Sequence, residues 1–246
     1  MTLILLTGCS DLMALSDAIA ALTDPLVVQA TYIGVETPPA EMPLEGTSWA
    51  EGSRAQAILA DAGALDNLSE APIDDATVAL ELDGVPVPLA AQSAGSFVAT
   101  AAEGLGWAPG VDATLVIDRD GEHVIALTTP ALPLVELGAQ YALDEAMVID
   151  LEGQPFDNVV VTVIRVLDGE TVYNSLPTDI DGLYRLTHSS GELVTEVPGE
   201  TFHEAGVYVV GVTGLVNADP DTYVGVNLAL SALTAGAVDF SVVTVM

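Results

Sequence analysis

Apolar and polar residues alternate with period two along most of the chain. Near its end Val238, Phe240 and Val242 alternate with Asp239 and Ser241, the pattern of a half-buried strand. The β-branched run at 26–35 predicts a strand. Apolar runs at 77–82 and 85–89 flank Asp83-Gly84, and those at 114–117 and 123–127 flank Asp118-Arg119-Asp120-Gly121. Runs at 159–167 and 171–176 flank Asp168-Gly169. Asp-Gly between alternating apolar runs predicts a hairpin. Short strands are expected at 96–100, 183–187, 192–197, 207–213, 222–230 and 237–245, and for 54–60 periodicity does not choose between strand and short helix. One segment has helical spacing. Leu12, Leu15, Ile19 and Leu22 share a face over 10–25, with Ser10 or Asp11 as cap and Asp24-Pro25 as the stop. Residues 36–52, rich in Pro, Gly and Glu, predict a loop, and Thr129-Pro130 to Pro133 a linker. The expected class is mostly β: a short N-terminal helix at 10–25, then two antiparallel β-sandwich domains at 26–131 and 134–246.

Composition narrows the partners. The chain has 246 residues, half of them hydrophobic, so disorder is not expected. Four arginines (Arg54, Arg119, Arg165 and Arg185) stand against 36 acids, lysine is absent, and the net charge is −32. Nucleic acid is excluded as a partner because its binding rests on Lys and Arg neutralising phosphates. Docking of the folded part on anionic head groups is excluded for the same reason. The carboxylates, spread over roughly 10,000 Å², stand about 17 Å apart, beyond the ~8 Å Debye length at physiological salt. The charge therefore serves solubility first. A salty or divalent-rich habitat is the second reading, and stability that rises with salt would mark it.

The N-terminus adds a location. A short apolar run leads into Leu6-Thr7-Gly8-Cys9, which resembles the lipobox of bacterial lipoproteins and contains the only cysteine of the chain. The resemblance implies that 1–9 is a signal segment, cut before Cys9, and that Cys9 carries lipid. Ser10, not an aspartate, follows the cysteine, so the resemblance implies the outer membrane or cell surface. The alternative is a buried strand at 3–6 with Cys9 as a core thiol in a cytoplasmic protein. With one cysteine no intrachain disulfide can form. The apolar stretch 223–246 contains Asn227, Ser231, Thr234, Gly236 and Asp239, and so lacks the unbroken run a spanning helix needs. An aromatic content of 5% is too sparse for the girdles of a membrane barrel.

Three further resemblances bear on the fold. Glu204-Ala205-Gly206-Val207-Tyr208-Val209-Val210 is similar to the Asp-x-Gly-x-Tyr stretch of immunoglobulin-like domains. That likeness implies two immunoglobulin-like sandwiches and a tyrosine bonded back to the upstream backbone, with Val210 where an antibody domain has cysteine. The region carrying Ala71-Pro72, Ala76-Thr77-Val78, Gly95-Ser96-Phe97, Pro109-Gly110 and Thr114-Leu115-Val116 resembles β-domains of bacterial envelope lipoproteins. Thr178-Asp179-Ile180-Asp181-Gly182-Leu183-Tyr184 is similar to a segment of carboxypeptidase-regulatory-like and collagen-adhesin B-type sandwiches, which are structural or stalk modules.

Candidate chemistry is thin. The sequence lacks G-x-S-x-G, a phosphate loop and a dinucleotide fingerprint. His123, His188 and His203 lie far apart and are read as incidental. Trp49 and Trp107 are read as packing residues. Asp118 with Asp120, Asp179 with Asp181, and Asp219 with Asp221 set paired oxygens on tight turns, but none completes an EF-hand. The turn reading is preferred for each, and Asp179 and Asp181 are carried forward as candidate calcium ligands, the only cofactor considered. No catalytic residue is assigned. The expected function is a non-catalytic, lipid-anchored envelope or surface protein with a structural role or a protein- or glycan-binding role. The alternatives are a calcium-stabilised adhesion or stalk module and a hydrolase using a carboxylate pair.

Overall fold

A computed structural model describes residues 25–35, 52–64, 71–189, 191 and 193–246. Cys9, the stripe of Leu12, Leu15, Ile19 and Leu22, the segment at 36–51 and Trp49 lie outside the described residues. The described chain is mostly β, with one α-helix. Its contacts divide into two units. The first takes the described residues up to Tyr32, then Arg54–Thr129 and Asn217–Ala235. The second takes Pro130–Val216 and Gly236–Met246, with the described residues of 33–53.

The first unit contains β1 (Leu26–Val35, as far as Tyr32), β2 (Arg54–Asp61), β3 (Thr77–Leu82), β4 (Val85–Ala91), β5 (Ser96–Thr100), β6 (Asp112–Asp118) and β7 (Glu122–Thr128). They are hydrogen-bonded in the order β1-β2-β5-β4-β3-β6-β7. β4 changes partner along its length. Residues 85–89 pair with β3, and Ala90 and Ala91 pair with β5. One core takes Ala55, Ala57 and Leu59 from β2, Phe97 from β5, Val78 and Leu80 from β3, and Leu115 and Ile117 from β6. Strict alternation explains this, since every second residue of β2 and β6 points inward while Asp112 and Asp118 stay in water. It also settles 54–60 as a strand. The β3–β4 turn has positive φ at both Asp83 (48°) and Gly84 (76°), as a type I′ hairpin requires.

The second unit contains β8 (Gln140–Tyr141), β9 (Met147–Asp150), β10 (Asn158–Arg165), β11 (Thr171–Asn174), α1 (Ile180–His188), β12 (Val194–Val197), most of β13 (Gly206–Asn217) and the end of β14 (Ala232–Val245). The path β11-β10-β13-β14 forms one sheet, with β8 parallel to the end of β14, and β9 pairs with β12 in a second sheet. Both sheets feed one core: Met147 and Ile149 from β9, Val197 from β12, Val161 and Val163 from β10, Tyr208, Val210 and Val212 from β13, Val243 and Val245 from β14. Two layers sharing one core is the sandwich arrangement.

Two expected strands are corrected. Residues 183–187 lie in α1. Asp179, itself extended, accepts a hydrogen bond from Gly182 N at 2.7 Å, and Asp181 sits in the first turn with Arg185 and His188 in the last. The cap and the charge order both suit a helix dipole, and they outweigh the alternation read in the sequence. The run 222–230 is not a strand either. Asp219 caps a single turn at Pro220–Thr222, one isolated bridge joins Val224 to Val124, and the Asn227 carboxamide accepts from Leu230 N at 3.2 Å. Asx-type side-chain bonds there compete with the ladder and win.

Candidate functional site

The candidate calcium ligands sit on the helix entry just described. Asp179 Oδ1 is engaged by Gly182 N, and Asp181 is exposed in the first turn of α1. Among the described residues no group of three or more His, Cys, Asp or Glu side chains is arranged to hold a metal ion. Asp219 Oδ1 likewise accepts from Asp221 N at 2.9 Å.

A dense charge cluster centres on Arg165, at the end of β10. Its Nη2 donates to Asp168 Oδ2 at 2.7 Å and to Glu170 Oε2 at 2.5 Å, and its Nη1 donates to Glu204 Oε2 at 2.8 Å. Nε completes the fork to Asp168 Oδ1 at 3.1 Å. The arginine side chain is 13% exposed, and its three partners are 44–61% exposed. Asp168 and Glu170 come from the β10–β11 hairpin, while Glu204 precedes β13. The hydrogen bonds to Asp168 raise the guanidinium pKa further above its ordinary range. The same bonds, with that from Glu170 N, hold the Asp168 carboxyl below the ordinary carboxylate range. A shallow cleft of about 340 Å³ opens beside them, lined by Arg165, Glu170, Glu200, His203 and Glu204 among others. A guanidinium committed to three carboxylates has little left to offer an anion, so this knot ties the hairpin to the β13 entry.

Tyr208 stands opposite Arg165 in the β10–β13 ladder. Its phenol donates to Glu204 O at 2.8 Å, and burial pushes its pKa up. Its ring meets Phe202 edge-on, 5.4 Å between centroids. The tyrosine named from the sequence thus makes the backward bond its motif implied. In the first unit Trp107 packs on Tyr32 with centroids 4.9 Å apart, beside the core.

His123 lies between two backbone carbonyls. Its Nδ1 lies 2.5 Å from Gly225 O and its Nε2 lies 3.0 Å from Arg119 O. Sequence reasoning missed both Arg165 and His123. Arg165 had a local signal, since acids at 168 and 170 surround an Asp-Gly turn in a chain with few cations. His123 had none, because Gly225 lies 102 residues away.

No helix among the described residues is long and apolar enough to cross a membrane. No family model and no curated protein matches the chain. Among solved structures the chain is similar to a segment of two fibronectin type III domains from chicken tenascin, at 9% identity and a TM-score of 0.29, covering 78% of this chain and 91% of that one. It is similar to the BSP domain of a biofilm-associated protein at 14% identity and a TM-score of 0.25, covering 89% of this chain and 30% of that one. It is also similar to fibronectin(III)-like modules of Clostridium thermocellum CbhA, at 12% identity and a TM-score of 0.22, covering 92% of each.

Proposed function

We propose that the chain is a non-catalytic surface module: two immunoglobulin-like sandwiches, held outside the cytoplasm by lipid on Cys9, with a structural role or a protein- or glycan-binding role at an outer membrane or cell surface. The observation that carries this reading is the use made of the polar side chains. Arg165 binds three carboxylates, Tyr208 binds Glu204 O, Asp179 caps α1, and Arg119 Nε meets Asp75 Oδ1 at 3.0 Å. The first three fix a hairpin, a strand entry and a helix entry. The cleft beside Arg165 is shallow and its guanidinium is already committed to three carboxylates, whereas catalysis needs such groups free and gathered around a pocket where a substrate can sit.

Mass spectrometry of the protein extracted from its native membrane tests the anchored reading. The expected N-terminal peptide begins at Cys9 and carries acyl chains. A peptide with intact Met1 and a free thiol overturns it. Calorimetry at millimolar calcium tests the stalk alternative. No heat is expected from the wild type. Binding heat that is lost in Asp179→Asn, a variant that keeps a capping side chain, would replace the proposed role with a calcium-stabilised one.

A further inference from the structure

β7 is the last strand of its path, and an uncovered edge strand offers unpaired amides and carbonyls to any passing chain. Residues 219–225 lie along that edge. Val124 and Val224 exchange both backbone bonds, at 3.0 and 2.9 Å. Thr222 Oγ1 donates to Ala126 O at 2.7 Å and accepts from Ala126 N at 3.4 Å, so one hydroxyl stands in for a strand residue. Just past the bridge the chain turns at Gly225, whose φ is +69°. A Cβ there would come within 2.5 Å of His123 Nδ1, so only glycine lets the ring approach this closely.

The ring sits between two acceptors. Nδ1 faces Gly225 O and Nε2 faces Arg119 O, on opposite sides. A backbone carbonyl can only accept. A neutral imidazole carries one N–H and leaves a lone pair aimed at the other oxygen, whereas imidazolium donates to both. We propose that His123 is a proton-operated clip that fastens the 219–225 segment over the open edge of β7. Among the described residues, the charged groups on the elements that meet the ring are Asp118, Arg119, Asp120 and Glu122 of the β6–β7 hairpin, Asp75 paired with Arg119, and Asp219 and Asp221 of the segment itself. Pro25 and Leu26 line the small cavity beside the ring and bring no charge.

The clip is fastened when both ring nitrogens carry protons and can donate to the two carbonyls, and it is released when one of those protons is lost. Release frees the amides of Val124 and Val224 and leaves β7 able to pair with another chain. The inference does not depend on the lipid anchor or on any partner.

Amide exchange by NMR on the whole chain tests it, with rates corrected for the intrinsic effect of pH. Between about pH 5.5 and 8, above the ordinary carboxylate range, protection of Val124 and Val224 is expected to fall about fivefold while the core amide of Leu115 stays level. In His123→Gln the dependence disappears. In a variant with His188 and His203 both replaced by Gln it remains. Should His123→Gln fail to fold, the ring nitrogens of wild-type His123 decide the matter: both are expected to carry protons at the acid end. A ring that keeps one bare nitrogen throughout, or edge amides indifferent to pH, overturns the proposal.

Discussion

The phenol of Tyr208 donates to the backbone carbonyl of Glu204, 2.8 Å away and four residues upstream. The same glutamate accepts from Arg165 through its carboxylate, and Arg165 is the ladder partner of Tyr208. Three residues therefore close a loop that fixes where the chain enters β13. Tyr208→Phe removes one hydroxyl from this loop and keeps the edge-on packing against Phe202. The expected loss is about 1 kcal/mol, with the denaturant slope unchanged. Urea unfolding measures it, and an unchanged midpoint would remove the corner from the account of stability.

Arg165→Met leaves Asp168, Glu170 and Glu204 facing one another without their counter-charge. The three carboxylates are half exposed, so their repulsion is screened by salt. The melting temperature is expected to fall, and the gap to wild type should be widest at low ionic strength and narrow at high salt. The acid response should change too. In the wild type Asp168 is held below the ordinary carboxylate range. Its contribution is present above that range and lost as pH falls through the lowered folded value. Without Arg165 this part of the acid loss disappears. Parallel salt and pH series on the two proteins check both statements.

The hairpins were legible because two signals coincide at each. Period-two alternation marks the strands of β3–β4 and β6–β7, and Asp-Gly marks their turns. The Tyr208 corner was legible because its partner lies four residues away. α1 was not, since it is short and its decisive feature is one capping carboxylate, Asp179, in a segment that equally suits a tight turn. β13 and β14 run longer than expected because Tyr208–Leu215 and Ala232–Val238 are buried on both faces, which removes the alternation that bounds a strand. The Arg165 knot had a local half in Asp168 and Glu170, but its third partner, Glu204, lies 39 positions away and Gly225 lies 102 from His123, distances over which local pattern says nothing.

Buried phenols set the alkaline limit. Tyr32 is 1% exposed, donates to Gly106 O, and has its pKa pushed up by burial. Tyr223 and Tyr208 are raised for the same first cause. A group whose folded pKa is raised contributes its full stability below the unfolded value, about 10 for tyrosine, and loses it as pH rises through the folded value. Stability is therefore expected to decline above about pH 10. The phenolate absorbance of these residues should appear together with the loss of β-structure by circular dichroism. Tyr32→Phe should move that unfolding to higher pH. Phenolate forming fully in a protein that stays folded would show these rings to be open to solvent.

The free side of β4 is guarded by sequence. Residues 85–89 pair with β3, while β5 reaches only Ala90 and Ala91, so the early part of the strand presents one side to solvent among the described residues. Pro86 and Pro88, both exposed, alternate with Val85, Val87 and Leu89. A proline cannot donate, so the two fall where an amide would face away from β3, and that edge keeps carbonyl acceptors without donors. A second strand cannot complete a ladder against it. Replacing both prolines with threonine restores the donors. It also costs about 0.4–1 kcal/mol per site through the looser unfolded chain. The double variant is expected to self-associate where the wild type does not. Light scattering at high salt is the right measurement, because a net charge of −32 would otherwise keep the molecules apart. If the variant scatters as the wild type does, charge alone protects this edge and the prolines serve only to stiffen the strand.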